Sequence, residues 1–202
     1  MIKYRILKYC TIRNDIVSAE GKVVLKTAEQ PGTSKQFKEI FQSLGIEYPK
    51  FYKMDMLSKL AFLAFEILTR DAGTKITETN TGILLANRHS TLDTDRKFQM
   101  TIEPQNHFPN PSLFVYTLPN VMIGEISIRK NIKGETLFIS TEGFSASDVT
   151  TALETMVFDN CLAGFIEYAG ENDFEAFAVF LEKSDDFDNN PVDRELLRLY
   201  NS

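Results

Sequence analysis

The segment "YKMDMLSKLAFLAFEILTRDAG" restricts the fold more than any other. Met54, Leu57, Ala61, Ala64, Phe65 and Leu68 recur at three- and four-residue spacing, and Phe62, Leu63 and Ile67 widen the apolar stripe. A helix apolar over so much of its surface must be covered on several sides. Ala61 and Ala64 let a sheet or another helix approach closely. The second constraint is "TGILLAN", residues 81–87, a near-continuous apolar run of strand length. Such a run suits a strand buried on both faces. Together they predict an α/β protein in which helices cover a mixed central sheet.

The other segments alternate in the same way. "YRILKYCTI" reads as a first strand, with "KVVLKT" as its partner after the turn-like "SAEG". "PGTSKQFKEIFQSLG" reads as a helix, with Thr33 and Gln36 at capping-box spacing and Gly45 at the stop. "RHSTLDTDRKFQMTI" is a polar loop leading into a helix. "EPQNHFPNPSLFVYTLPN" holds four of the seven prolines and predicts an irregular segment. "VMIGEISIRKNIKG" predicts a helix ended by Gly134, and "ETLFIST" a strand. "DVTTALETMVFDN" predicts a helix, with Ser145 and Asp148 as its capping signal. "CLAGFIEYAG" and "EAFAVFLEK" predict two strands separated by "ENDF". Residues 184–202 form an acidic loop and the terminal helix "VDRELLRLY", so residues 1–202 read as a single domain.

Composition removes several function classes. The net charge of −6 leaves no basic surplus for nucleic-acid phosphates. No apolar run approaches the ~20 residues that span a bilayer, and "MIKYRILKYC" lacks the pattern of a signal peptide. A cytoplasmic protein is the expectation. Cys10 and Cys161 sit inside apolar runs with no metal-ligand spacing, and predict buried small hydrophobes. No metal site and no cofactor are expected. Asp185, Asp186 and Asp188 read as a solvated loop. His89 reads as a satisfied loop or interface residue, and His107, near two prolines, as a surface or packing residue. Asp93 and Asp95 could pair for acid–base work, but capping of the next helix is favoured, since a helix start attracts carboxylates.

Four pieces come in a telling order: "YKMDMLSKLAFLAFEIL", "GILLANRHSTLDTDRKFQ", "PSLFVYTLPNVMIGEISIRKNIKGETLFIST" and "ALETMVFDNCLAGFIEYAG". They resemble the N-terminal half of β-ketoacyl synthases, the condensing enzymes of the thiolase-like fold. The third piece carries the motif most specific to that family: a "TxxN" turn, a helix with a small residue, a Gly turn, a strand and the nucleophile turn. The matching residues are Thr117, Asn120, Gly124, Lys133, Gly134 and Thr141, and the resemblance covers about residues 50–183. Within the family the chain looks closest to synthase-like proteins of aryl-polyene and flexirubin-type pigment pathways.

The resemblance implies a thiolase-like layered fold, of which this chain holds the N-terminal half only. It implies dimerisation through the strand before the nucleophile, here Thr136, Leu137, Phe138, Ile139 and Ser140, although an internal strand is another reading of the same residues. It also implies partners: a homodimer in isolation, a full-length β-ketoacyl synthase and an acyl carrier protein. The family reads "TACSS" or similar at the nucleophile turn. Alignment on Thr141 places Glu142 at the Ala and Gly143 at the acyl-accepting Cys. Glycine cannot accept an acyl group. Ser145 is the nearest hydroxyl, and its capping role accounts for it. The family's two catalytic histidines follow the nucleophile, whereas His89 and His107 both precede Gly143. No catalytic residue is therefore expected. Three functions follow: a non-catalytic, chain-length-factor-like partner in fatty-acid or polyketide synthesis; an active 3-oxoacyl synthase subunit completed by another chain; or an acyl or acyl-carrier binding module with a pocket lined by "FPNPSLFVYTLP". The helix "VDRELLRLY" is the candidate cover for any surface the absent half leaves.

Overall fold

The computed structural model describes residues 3–28, 32–70, 76–102, 108–184 and 191–202. The strand expected to be covered on both faces is β4, Thr81–Asn87, and every one of its residues is buried. Parallel neighbours flank it on both sides: β5, Thr136–Ser140, and β6, Asn160–Gly170. Parallel strands need long crossovers, and the chain supplies them as helices. Between β4 and β5 run α3 (Leu92–Gln99), α4 (Pro111–Val115) and α5 (Asn120–Lys130), and between β5 and β6 runs α6 (Ala146–Thr155). The hairpin of β6 with β7, Asp173–Ser184, turns the sheet antiparallel, and β1 (Lys3–Arg13), β2 (Ile16–Ala19) and β3 (Lys22–Lys26) complete it. The order is β3-β2-β1-β7-β6-β4-β5.

Side chains alternate across these strands and divide the core in two. Ile83, Leu85, Leu162, Ile166, Ala178, Phe180, Cys10 and Ile12 face one layer. Leu84, Cys161, Ala163, Phe177, Val179 and Leu181 face the other. The first layer is closed by α1 (Thr33–Ser43), α2 (Met56–Leu68) and α5. Helix α2 is buried at every residue from Leu57 to Glu66 except Lys59, as its composition predicted. The second layer is closed by α6 and α7, Val192–Tyr200, where Leu196 and Leu199 are buried. The terminal helix thus packs on this face of the sheet through Leu196 and Leu199.

Several boundaries differ from the sequence expectation. β1 pairs with β2, not with "KVVLKT"; Asn14, at φ 50°, lets the chain turn earlier, and β3 pairs with β2 instead. The capping box at Thr33 and Gln36 does not form. Gly32, at φ 82°, is the N-cap, Thr33 Oγ1 accepts from the Asn172 amide (2.9 Å), and Gln36 donates to the Asn14 carbonyl. Helix α2 begins later than expected, after a 3-10 turn at Pro49–Lys53, because Asp55 caps it through the Ser58 amide (3.0 Å). The proline-rich segment contains α4, capped by Asn110. Helix α5 is ended by Asn131 in the left-handed conformation (φ 53°), not by Gly134. Asp185, Asp186, Asp188 and His107 lie outside the described residues.

Candidate functional site at the ends of the parallel strands

Strands β4 and β5 end level, with Asn87 beside Ser140, and the Thr141 amide donates to the Asn87 carbonyl (2.9 Å). The loop after β4 and the turn after β5 therefore share one end of the sheet. In layered α/β proteins the carboxyl ends of parallel strands are where sites form.

The β4 loop is held from two sides. The Asn87 side chain is fully buried; its amide donates to the Ser90 carbonyl and its oxygen accepts from the Ser90 amide, both at 2.9 Å. Ser90 takes a left-handed conformation (φ 51°) inside this clasp. From β6, Glu167 Oε2 accepts from the Arg88 amide (2.7 Å) and the His89 amide (3.3 Å), while Oε1 lies 3.1 Å from His89 Nδ1. His89 is therefore a satisfied loop residue, as expected. Glu167 was not anticipated, although a lone carboxylate inside the apolar run "CLAGFIEYAG" is a signal: a buried charge needs partners. Further along, Thr91 Oγ1 donates to the Thr117 carbonyl (2.9 Å), tying α3 to the turn before α5. Thr94 Oγ1 donates to Asp55 (2.9 Å). Burial pushes the Asp55 carboxyl upward despite that bond and the Ser58 bonds.

Asp93 and Asp95 are not a carboxylate pair, and neither is the cap, which is Thr91. Asp93 bonds Lys97 (2.6 Å) and Asp95 lies against Thr91 Oγ1 (3.2 Å); both sit in the first turn of α3, where the helix dipole favours them.

The turn itself is built from Thr141, Glu142, Gly143, Phe144 and Ser145. Ser145 Oγ accepts from the Asp148 amide (3.2 Å) and caps α6, the role its spacing predicted. Phe144 stacks on Tyr200 of α7, with centroids 4.2 Å apart. Thr141 Oγ1 is buried and makes no hydrogen bond.

The three glycines of the sequence motif separate cleanly here. A Cβ at Gly134 would overlap the Thr81 carbonyl oxygen, so close backbone packing demands that glycine. A Cβ at Gly124 or Gly143 meets nothing within 4 Å, and neither residue has a left-handed φ. The chain's own packing does not require glycine at either position. The other motif residues are structural. Thr117 Oγ1 bonds the Phe114 carbonyl (2.7 Å), Asn120 opens α5, and Lys133 pairs with Glu78.

No thiol reaches the turn. Cys161 lies beside Gly82, five residues before Asn87 on β4, or about 17 Å at ~3.3 Å per residue. Cys10 is on β1, four strands from β5, about 19 Å at ~4.8 Å per strand. Burial pushes the Cys10 thiol up to about 12 and that of Cys161 up as well. Both are inert. Among the described residues, no group of three or more His, Cys, Asp or Glu residues is placed to hold a metal.

β5 is the sheet edge, and among the described residues it pairs with β4 alone. Thr136 and Ser140 are exposed and Leu137, Phe138 and Ile139 half-buried. Met100, Phe108, Phe114, Val115 and Leu118 are also exposed, Phe108 at 84%. Most of the described "FPNPSLFVYTLP" side chains thus lie at the surface. A cleft of about 190 Å³ lies elsewhere, lined by Leu44, Ile46, Glu66, Thr69, Arg70 and Lys130, with no residue from the β4 or β5 ends.

The fold recurs in solved structures. One is a chain of the complex of the ketosynthase ApeO with its chain length factor ApeC from Xenorhabdus doucetiae. It superposes with a TM-score of 0.58 at 13% identity, over 91% of this chain and 80% of that one. The fold is that of the ketosynthases. A type II polyketide synthase complex, AntDE:AntF, in which an acyl-carrier protein binds its hexaketide-carrying ketosynthase, gives 0.54 at 13% identity, over 91% and 63% of the two chains. A β-ketoacyl synthase from Burkholderia phymatum gives 0.54 at 11%, over 91% and 60%. The chain therefore spans less than two thirds of the matched length in the last two. No protein-family model and no curated protein matches the sequence. Among the described residues no helix is long and apolar enough to cross a membrane.

Proposed function

We infer that the chain is a non-catalytic, chain-length-factor-like partner of a full-length β-ketoacyl synthase in aryl-polyene-type or related fatty-acid or polyketide synthesis. One observation carries this reading: the apex of the turn after β5 is Gly143, open to its surroundings, with no thiol and no base in its place. An acyl transfer at this apex needs a nucleophile, and Ser145 is occupied as a cap. A second chain could bring histidines, but it could not restore the absent thiol. The reading of an active synthase completed in trans is therefore disfavoured.

The partner role is supported by the surface. β5, Thr136–Ser140, is an edge strand with half-buried apolar residues at its centre, and Phe108, Phe114 and Leu118 are exposed; both are apolar surface that a second subunit would cover. Exposed apolar area of this kind marks interaction sites. An acyl carrier protein is the further partner, and the cytoplasm the compartment. In isolation the chain is expected to form a homodimer through the same surface.

Co-expression with full-length β-ketoacyl synthases of the native host tests the assignment. A stable 1:1 complex by light scattering is expected, with malonyl decarboxylation by the complex and none by this chain alone. Robust turnover by the isolated chain, or failure to bind any such synthase, would overturn it.

A further inference from the structure

Phe144 is the residue that follows the open apex, and its surroundings come from the far end of the chain. Its ring stacks on Tyr200 at 4.2 Å with 22° between the planes, and meets Phe177 and Phe165 edge-on at 5.2 and 6.2 Å. On Tyr200, the Arg13 guanidinium carbon lies 4.5 Å from the ring centroid. Two groups so close to one centroid cannot share a face, so the Tyr200 ring is held between Phe144 and Arg13. Its hydroxyl donates to Glu175 (2.8 Å), Arg13 donates to the Tyr200 carbonyl (2.6 Å), and Arg13 pairs with Glu175 (3.3 Å). Tyr200 is thus fixed to β1 by Arg13 and to β7 by Glu175, while its other face carries the turn.

We propose that Tyr200 is a positioning residue for the Thr141–Ser145 turn. The terminal helix α7 presents a rigid ring, and Phe144 docks on it. That docking holds the turn so that Gly143 keeps its open face. Besides that stack, the turn is held by the edge-on contacts of Phe144 with Phe165 and Phe177, by one backbone bond from Thr141 to Asn87 and by the Ser145 cap. The proposal concerns geometry and stands whether or not the chain is an inert subunit.

Local amide exchange tests it. Tyr200→Leu keeps apolar volume but removes the stack. It should speed exchange of the 141–145 amides roughly threefold to tenfold, the range an aromatic pair supports. Tyr200→Phe should keep wild-type exchange there, because the ring remains. Phe144→Leu should show the reciprocal effect at the 198–200 amides, since coupling runs both ways. The alkylation rate of a thiol introduced by Gly143→Cys should change with Tyr200→Leu and stay constant with Tyr200→Phe. Unchanged turn exchange in Tyr200→Leu would overturn the proposal. Equal effects of Leu and Phe would overturn it too, by assigning the role to the hydroxyl. Failure of Tyr200→Leu to fold would make Tyr200 a core residue and count equally against it.

Discussion

The two faces of the sheet are covered by different means. On one, the long apolar helix α2 lies between α1 and α5 and is buried along most of its length. Its one acidic residue, Glu66, is buried too and is held by Arg129 (2.9 Å) and Lys130 (2.7 Å). On the other face, two short helices share the cover, and the second comes from the end of the chain. The turn bearing Gly143 borders this thinner layer through Phe144. The contrast teaches a division of labour: stability resides under α2, and the turn sits over a layer with less redundancy.

The largest expected effect tests the thick face. Phe62, 1% exposed and in contact with the rings of Phe41, Tyr48 and Phe51, should cost about 3–5 kcal/mol as Phe62→Ala in urea unfolding. Leu196→Ala, in the thin layer, should cost less, about 2–3 kcal/mol; the reverse order would break the comparison. Gly134→Ala should cost about 1–3 kcal/mol, because its Cβ meets the Thr81 carbonyl and a backbone has to move.

Acid sharpens the picture of Glu66. Burial alone would raise its pKa, but hydrogen bonds from Arg129 and Lys130 outweigh burial and hold the carboxyl below its ordinary range. A depressed folded pKa contributes stability above the unfolded value near ~4.3, and that contribution is lost as pH falls through the folded one. The stability gap between wild type and Glu66→Gln should therefore be widest at neutral pH and shrink below pH ~4. A gap that grows in acid would contradict the ion-pair geometry. The smallest effect belongs to Gly143→Cys. With open space around the new Cβ, unfolding should shift by no more than about 0.5 kcal/mol. One thiol should react with iodoacetamide under native conditions, where the wild type shows none, because Cys10 and Cys161 are fully buried.

Most elements could be read from local pattern. α2, β4, the β6–β7 pair and the cap at Ser145 follow from periodicity and capping residues, which act over a few positions. One expectation failed because distant groups outbid local ones. Asn172 and Asn14 took the side chains of Thr33 and Gln36 from the expected capping box. The third strand was missed because β2 is only four residues long, too short for alternation to show. At the candidate site, the sequence marked Gly143 and its neighbours, but not the groups that hold them. Glu167 lies 78 residues from His89, and Tyr200 lies 56 positions after Phe144 (200 − 144).

By itself the sequence determined that a buried helix and a doubly covered strand would build a layered α/β protein, and that Gly143 would occupy the turn after β5. Hydrophobic periodicity and turn chemistry are local, so one chain suffices to state them. Only the tertiary structure decided which glycines the packing requires, which carboxylate fastens the His89 loop, and what Phe144 rests on. Each of those depends on distances between residues far apart along the chain, which exist only once the sheet has brought its strand ends together.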